Sequence, residues 1–263
     1  MNRVNAPDGT PLVYDAYEPS PSAPSRHTAV LLLHGWADQA SSWAATATRL
    51  RDAGFAAYAL DQRGHGRSGG QRVHLSRFSQ LLGDLQAFRR AVRRQHDIPQ
   101  VLFGHGFGGL VVLRYLETQP GEQPAAAIVS SPWLASRRRP AVWKRFAAQF
   151  ADLWPTLPTG RGDSRMTAGA RAEIQWAQRA VLADYERIEC SLLFLLAGND
   201  QVTDAPLAGT LAERLRPPAR VQSYPELGHE SVKDADGAGN AVLQDVLAFL
   251  ANDHSLDRAP RTE

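Results

Sequence analysis

The sequence predicts an α/β protein with a doubly wound, mostly parallel sheet and a short helical insertion. Three observations carry that expectation. Short apolar, β-rich runs alternate with amphipathic segments along almost the whole chain, the pattern of repeated β-then-α units. The run Val30-Leu31-Leu32-Leu33 is continuously apolar, as expected of a strand buried on both faces of a parallel sheet. From about Trp133 to Ile188 the alternation stops and no good strand is visible. At 263 residues the chain is long enough to bury a sizeable core around one large sheet without disulfides or metals.

Taken in order, the predicted strands are Leu12 to Tyr17, Ala29 to Leu33, Ala56 to Leu60, Val101 to Phe103, Ala125 to Val129, Leu192 to Leu196 and Arg220 to Tyr224. Between the second and third, Ser42 is placed to cap a helix from Trp43 to Leu50, with Gly54 as its stop. Phe78, Leu81, Leu82, Leu85, Phe88 and Val92 recur at three- and four-residue steps, which makes one helix with a single apolar stripe. The strandless stretch reads as two helices separated by Pro155, Pro158, Gly160 and Gly162. The expected organisation is a core of residues 1–132, a helical cap over 133–188, a return to the core over 189–251, and a polar tail over 252–263.

Composition narrows the function classes. Hydrophobic residues make up 43% and charged residues 21%, ordinary globular usage that indicates neither disorder nor a fibrous repeat. The formal net charge of +2 gives no reason to expect a nucleic-acid partner. Cys190 is the single cysteine and cannot form an intrachain bridge, which fits a reducing compartment. The first residues lack the apolar core of a secretion signal, and no apolar run reaches the length of a membrane span. A soluble, cytoplasmic protein is expected, with its oligomeric state open.

In open α/β sheets, ligands bind beyond the carboxyl ends of the strands. Those positions hold His34-Gly35-Trp36, then Asp61-Gln62-Arg63-Gly64-His65-Gly66-Arg67-Ser68-Gly69-Gly70, then Gly104-His105-Gly106-Phe107-Gly108-Gly109, then Gly198-Asn199-Asp200, then Leu227-Gly228-His229-Glu230. The order of strand, G-x-nucleophile-x-G elbow, helix, acid and histidine resembles the α/β hydrolases. The loop from Asp61 to Gly70, with Gly104-His105 before the elbow, is most similar to the monoacylglycerol lipase and lysophospholipase branch, often labelled serine aminopeptidase-like. The resemblance covers roughly residues 7 to 250.

What the resemblance implies is an α/β-hydrolase fold, hydrolysis of a carboxylic ester through an acyl-enzyme, and a small-molecule, lipid-like ester or acyl ligand, with no cofactor. It makes Asp200 the acid that orients His229, the general base, and makes the main-chain N–H groups of Trp36 and Phe107 the oxyanion hole. Asp204 falls farther past the strand end and is the weaker candidate acid. Substrate contacts are expected from His34, Gly35, His105, Trp133 and Trp143.

The departure is at Gly106, where the nucleophilic serine belongs. Acyl transfer by this route needs a hydroxyl within reach of the imidazole, and glycine has none. Ser130 and Ser131, at the end of the neighbouring strand, lack the elbow's projection toward the histidine. Glycine is easily tolerated there, because the elbow is strained and its loss of a side chain relieves roughly 1–3 kcal/mol. The insertion also reads as shorter than the lid of that family.

Three readings stay open: a binding protein that keeps the pocket, an engineered or sporadic Ser-to-Gly variant of an ordinary esterase, or an enzyme whose His229 and Asp200 activate a water. Trp133, Trp143, Phe146, Phe150, Trp154 and Trp176 crowd the insertion, and are read first as packing onto the sheet and second as an apolar lid. Arg137-Arg138-Arg139, Lys144 and Arg145 read as a solvated basic loop. The spacing of His34, His65, His74 and His105 matches no zinc pattern, so no metal is expected.

Overall fold

The computed structural model describes residues 2–19, 26–137 and 166–253. Eight strands form one sheet: β1 (Asn2–Asn5), β2 (Pro11–Tyr17), β3 (Ala29–Leu33), β4 (Ala56–Asp61), β5 (Gln100–His105), β6 (Ala126–Ser130), β7 (Ser191–Ala197) and β8 (Arg220–Tyr224). Their spatial order is β1-β2-β4-β3-β5-β6-β7-β8. The pairs β1–β2 and β2–β4 are antiparallel and the rest are parallel. The order turns back at β3 and continues outward from β5, so the chain winds to both sides of the sheet and opens a crevice at the carboxyl ends of β3 and β5.

Alternation along the strands feeds two separate cores. Leu31 and Leu33 of β3 join one cluster, with the apolar stripe of α2 (Phe78–Gln95), most of α3 (Phe107–Thr118), α4 (Ala168–Asp184) and α5 (Ala205–Arg214). Val30 and Leu32 join the other, with α1 (Ala44–Asp52) and α6 (Asn240–Asn252). Every residue of β3, β4, β5 and β6 is buried, the two-sided burial expected of parallel strands.

The seven predicted strands are all present: four are one to three residues longer than expected, two match, and β6 is shifted by one residue. β1 is an addition: Asn-Arg-Val-Asn has one apolar residue and half-buried alternation at the sheet edge, so nothing in its composition marks it. Ser42 does not cap α1. It lies inside a 3₁₀ turn, Ala40–Trp43, and its hydroxyl donates to the Asp38 carboxylate at 2.9 Å and the Gln39 carbonyl at 2.9 Å. Gly54 follows α1 at φ 92°, as a stop should. Of the predicted insertion, α4 is described, capped by Thr167, whose hydroxyl accepts from Ala170 N–H at 3.2 Å. Trp143, Phe146, Phe150, Trp154, Arg138, Arg139, Lys144 and Arg145 lie outside the described residues, and so do Pro155, Pro158, Gly160 and Gly162.

Arg63 ties the loop after β4 to the rest of the fold. Its guanidinium holds Asp84 of α2 through both carboxylate oxygens, at 2.6 and 2.9 Å, and reaches Asp8 at 2.7 Å and Thr10 at 2.9 Å. The Arg63 and Asp84 side chains are 9% and 2% exposed. Removing one member of such a pair leaves a buried, uncompensated charge. Arg63→Met is therefore expected to lower stability by about 3–5 kcal/mol, read as a fall in the urea midpoint with an unchanged slope.

Candidate active site

β5 ends at His105 and α3 begins at Phe107, so one residue reverses the chain from strand to helix. Gly106 does this at φ 53°, ψ −112°, a conformation that residues with a side chain rarely adopt. The turn is tight enough that a β-carbon on Gly104 would lie 2.3 Å from the Gly108 carbonyl oxygen. Gly106 N–H donates to the Ser130 carbonyl at 2.9 Å, and its carbonyl accepts from Trp133 N–H at 2.9 Å. Phe107, as the first residue of α3, presents a main-chain N–H that has no partner within the helix.

Asp200 follows β7 and His229 follows β8, as the sequence order predicts. The Asp200 carboxylate faces His229 Nδ1 at 2.8 Å. Its other partners are the N–H groups of Val202 and Thr203, at 2.7 and 2.9 Å, and the Thr203 hydroxyl at 2.7 Å. Asp200 is fully buried. Burial alone would raise its pKa, but His229 and the Thr203 donors outweigh that and hold the carboxyl well below the usual carboxylate range. With Nδ1 held by the carboxylate, His229 turns Nε2 toward the elbow. A β-carbon on Gly106 would lie 3.2 Å from that nitrogen. Asp204, the weaker candidate acid, instead caps α5 by accepting from Leu207 N–H at 3.1 Å.

The elbow and His229 open on a cleft of about 570 Å³, bounded among the described residues by Gly35, Trp36, Phe107, Trp133, Met166 and Val202 on its apolar side. Asp38, Arg171, Glu230 and Lys233 supply its charged lining. The Trp36 ring meets the Phe107 ring edge-on at 5.1 Å and the His65 ring at the same distance, which braces the loop after β3.

Gly35, Trp36, Gly106, Phe107, Trp133 and His229 thus line one cleft, whereas His34 and His105 stand behind it. His34 is fully buried. Its Nδ1 faces the Gly35 carbonyl at 2.7 Å, and its Nε2 accepts from Gln62 N–H at 3.1 Å. Burial, with the neighbouring His65, brings its pKa down to about 4, so it is a neutral strut between two loops. His105 is also fully buried, packed against the rings of Trp43 and His229. Ser130 and Ser131 are buried at the end of β6 and its following turn. The predicted contact Trp143 lies outside the described residues.

Several contributors carry no sequence signal. Thr203 is bound to Asp200 on two atoms, and Arg137 donates to the Asp200 carbonyl at 2.6 Å. Lys233 joins Asp38, beside the Trp36 loop, at 2.7 Å, and also pairs with Glu230, beside His229. Each is a single polar residue outside the long helices and strands, and only the fold shows what it touches.

Two outcomes follow for stability. Gly106→Ser places a side chain at positive φ and is expected to cost about 1–3 kcal/mol in urea unfolding. Asp200 has a folded pKa below its unfolded value, so it stabilises the fold above about pH 4 and loses that contribution as pH falls toward the folded pKa. Asp200→Asn should be the less stable protein at neutral pH, and the gap in melting temperature should narrow in acid.

Residues 24–177 match the family described as Serine aminopeptidase, S33. The chain is 38% identical over 125 residues to a monoacylglycerol lipase of Mycolicibacterium smegmatis, covering 47% of this chain and 43% of that one. It is 30% identical over 180 residues to a caffeoylshikimate esterase of Arabidopsis thaliana, covering 64% of this chain and 48% of that one. The matched stretches thus span less than half of these curated relatives. Among solved structures, a monoacylglycerol lipase of Paleococcus ferrophilus superposes with a TM-score of 0.78 at 22% identity, over 92% of this chain and 99% of that one. A soluble variant of the Saccharomyces cerevisiae monoglyceride lipase, in complex with a substrate analogue, superposes with a TM-score of 0.83 at 16% identity, over 94% and 93%. These likenesses establish the fold. The family match extends over more than half of the sequence, and the chain belongs to the serine aminopeptidase family and has the α/β-hydrolase fold.

Proposed function

We propose that this chain is a carboxylic ester hydrolase scaffold whose acyl-enzyme chemistry is disabled by Gly106, and that its cleft still binds a small acyl or lipid-like ester. The observation that carries this reading is the Asp200–His229 pair directed at the elbow, with Nε2 3.2 Å from the position of a Gly106 β-carbon. An oxygen on that carbon would come within hydrogen-bond reach of the imidazole, the geometry by which a general base activates a serine. Relatives support the same reading: proteins similar to parts of this chain are named as lipases and an esterase.

In this reading each group has a defined task. His229 Nε2 would take a proton from the attacking hydroxyl and return it to the leaving alcohol. Asp200 would hold the imidazole in one tautomer and stabilise its charged form. The N–H groups of Trp36 and Phe107 would receive the developing oxyanion. Without a hydroxyl, the oxyanion hole and binding alone leave a rate enhancement of about 10³–10⁴ over water, far short of a working esterase. The second reading, ligand binding without turnover, is favoured by the cleft itself, since about 570 Å³ with an apolar wall falls within the ordinary range of small-molecule sites. No metal or cofactor enters either reading.

The test is hydrolysis of short- and medium-chain chromogenic esters by this protein and by Gly106→Ser. Serine is expected to raise turnover by several orders of magnitude, and His229→Ala in that background should abolish the gain. If Gly106→Ser is folded and inert on every ester, the serine-hydrolase reading fails. Thermal stabilisation of the unaltered chain by an acyl ligand, without product, would then support binding alone. Turnover by the unaltered chain that vanishes with His229→Ala would instead identify water activated by the Asp200–His229 pair.

A further inference from the structure

The fold brings together a set of side chains that linear spacing does not reveal. Candidate ligand atoms of His105, His229 and Glu230 all lie within 4.8 Å of one another. His105 Nε2 is buried and has no hydrogen-bond partner among the described residues. The Glu230 carboxylate is 3.8 Å away, outside hydrogen-bond reach. A lone pair or N–H buried without a partner is costly and calls for an explanation. We propose that His105, His229 and Glu230 form a binding site for a borderline divalent cation such as Zn²⁺, opened by the glycine at position 106.

The local chemistry suits that ligand. Two imidazoles and one carboxylate are a donor set favoured by zinc and its neighbours. The His105 Nδ1 side faces the Ser130 hydroxyl at 3.4 Å, which leaves Nε2 as the coordinating nitrogen. Asp200 already occupies His229 Nδ1, the carboxylate–histidine arrangement that orients and strengthens a metal-bound imidazole.

Charge and room agree with it. Asp200 stands behind His229, Glu230 pairs with Lys233, which also holds Asp38, Arg137 is bound to the Asp200 carbonyl, and Arg171 lines the same cleft. Lys233 keeps Asp38 as its partner when the Glu230 carboxylate turns to a cation. Metal–ligand distances of about 2.0–2.2 Å require the three ligand atoms to close by roughly an ångström. The Glu230 side chain is 64% exposed and free to supply most of that movement. A serine at 106 would engage His229 Nε2, whereas glycine leaves that nitrogen to the cation.

Isothermal titration of the chelator-treated full chain with Zn²⁺ tests the site, with Co²⁺ absorption as a second reading of the ligand set. Saturable binding of one ion per chain is expected, weakened at least about tenfold by His105→Ala and by Glu230→Gln. Glu230 is largely exposed, so Glu230→Gln keeps the test decisive if His105→Ala does not fold. Absence of saturable binding overturns the proposal, as does an affinity unchanged by Glu230→Gln in folded protein. Binding is measured without any ester, so its result and that of the esterase assay are independent.

Discussion

The site depends on one constraint, the reversal of the chain from β5 to α3 within a single residue. Gly104 lets β5 lie against the Gly108 carbonyl, Gly108 lies against the Leu33 carbonyl of β3, and Gly106 takes the positive φ of the corner, and the candidate site is arranged around that point. The same turn sets Phe107 N–H at the start of α3, gives the Gly106 carbonyl to Trp133, and aims the position of a side chain at His229. A strand-to-helix corner of this kind is ordinarily strained because a side-chain-bearing residue must sit at positive φ. Here the strained position carries glycine, so the geometry survives without the cost that a serine would add. Fold and function pull in opposite directions at this residue.

Around the elbow, the supporting contacts are polar and buried. Arg63 fixes the loop after β4 through Asp84 and Asp8, and His65 of that loop packs against Trp36. His34 joins the same loop to Gly35 by hydrogen bonds at both ring nitrogens. Lys233 couples the turn carrying His229 to Asp38 beside Trp36. The backbone of the expected oxyanion loop is therefore held from three sides, a degree of order that catalysis and ligand binding both require.

Much of this was legible in the sequence because parallel strands leave a plain signature. Val30 to Leu33 must be apolar on both faces, and the loops after such strands are where ligands bind, which singled out Gly106, Asp200 and His229 as candidates in order. What escaped was set by contact and not by pattern. β1 has too little apolar content to announce itself and is stabilised by pairing with β2. Ser42 has the residue type of a cap, yet Asp38 four positions earlier captures its hydroxyl. His34 and His105 adjoin the candidate site loops in sequence, yet both side chains are buried in the interior. No spacing rule joins His105 to Glu230, which is 125 positions farther along the chain.

Asp200 has a structural task that does not depend on catalysis. Its carboxylate accepts from Val202 N–H, Thr203 N–H and the Thr203 hydroxyl as well as facing His229. It organises the turn after β7, and its loss would leave those buried donors unpaired. Among the described residues His229 has no such second employment in its hydrogen bonds: its side chain meets Asp200 through Nδ1 and turns Nε2 to the cleft. Fold stability alone accounts for the acid and leaves the base unexplained. A histidine kept with one nitrogen oriented by a buried carboxylate and the other presented to a cleft is poised to exchange a proton or bind a cation, and that residual capacity is the strongest chemical statement the site makes.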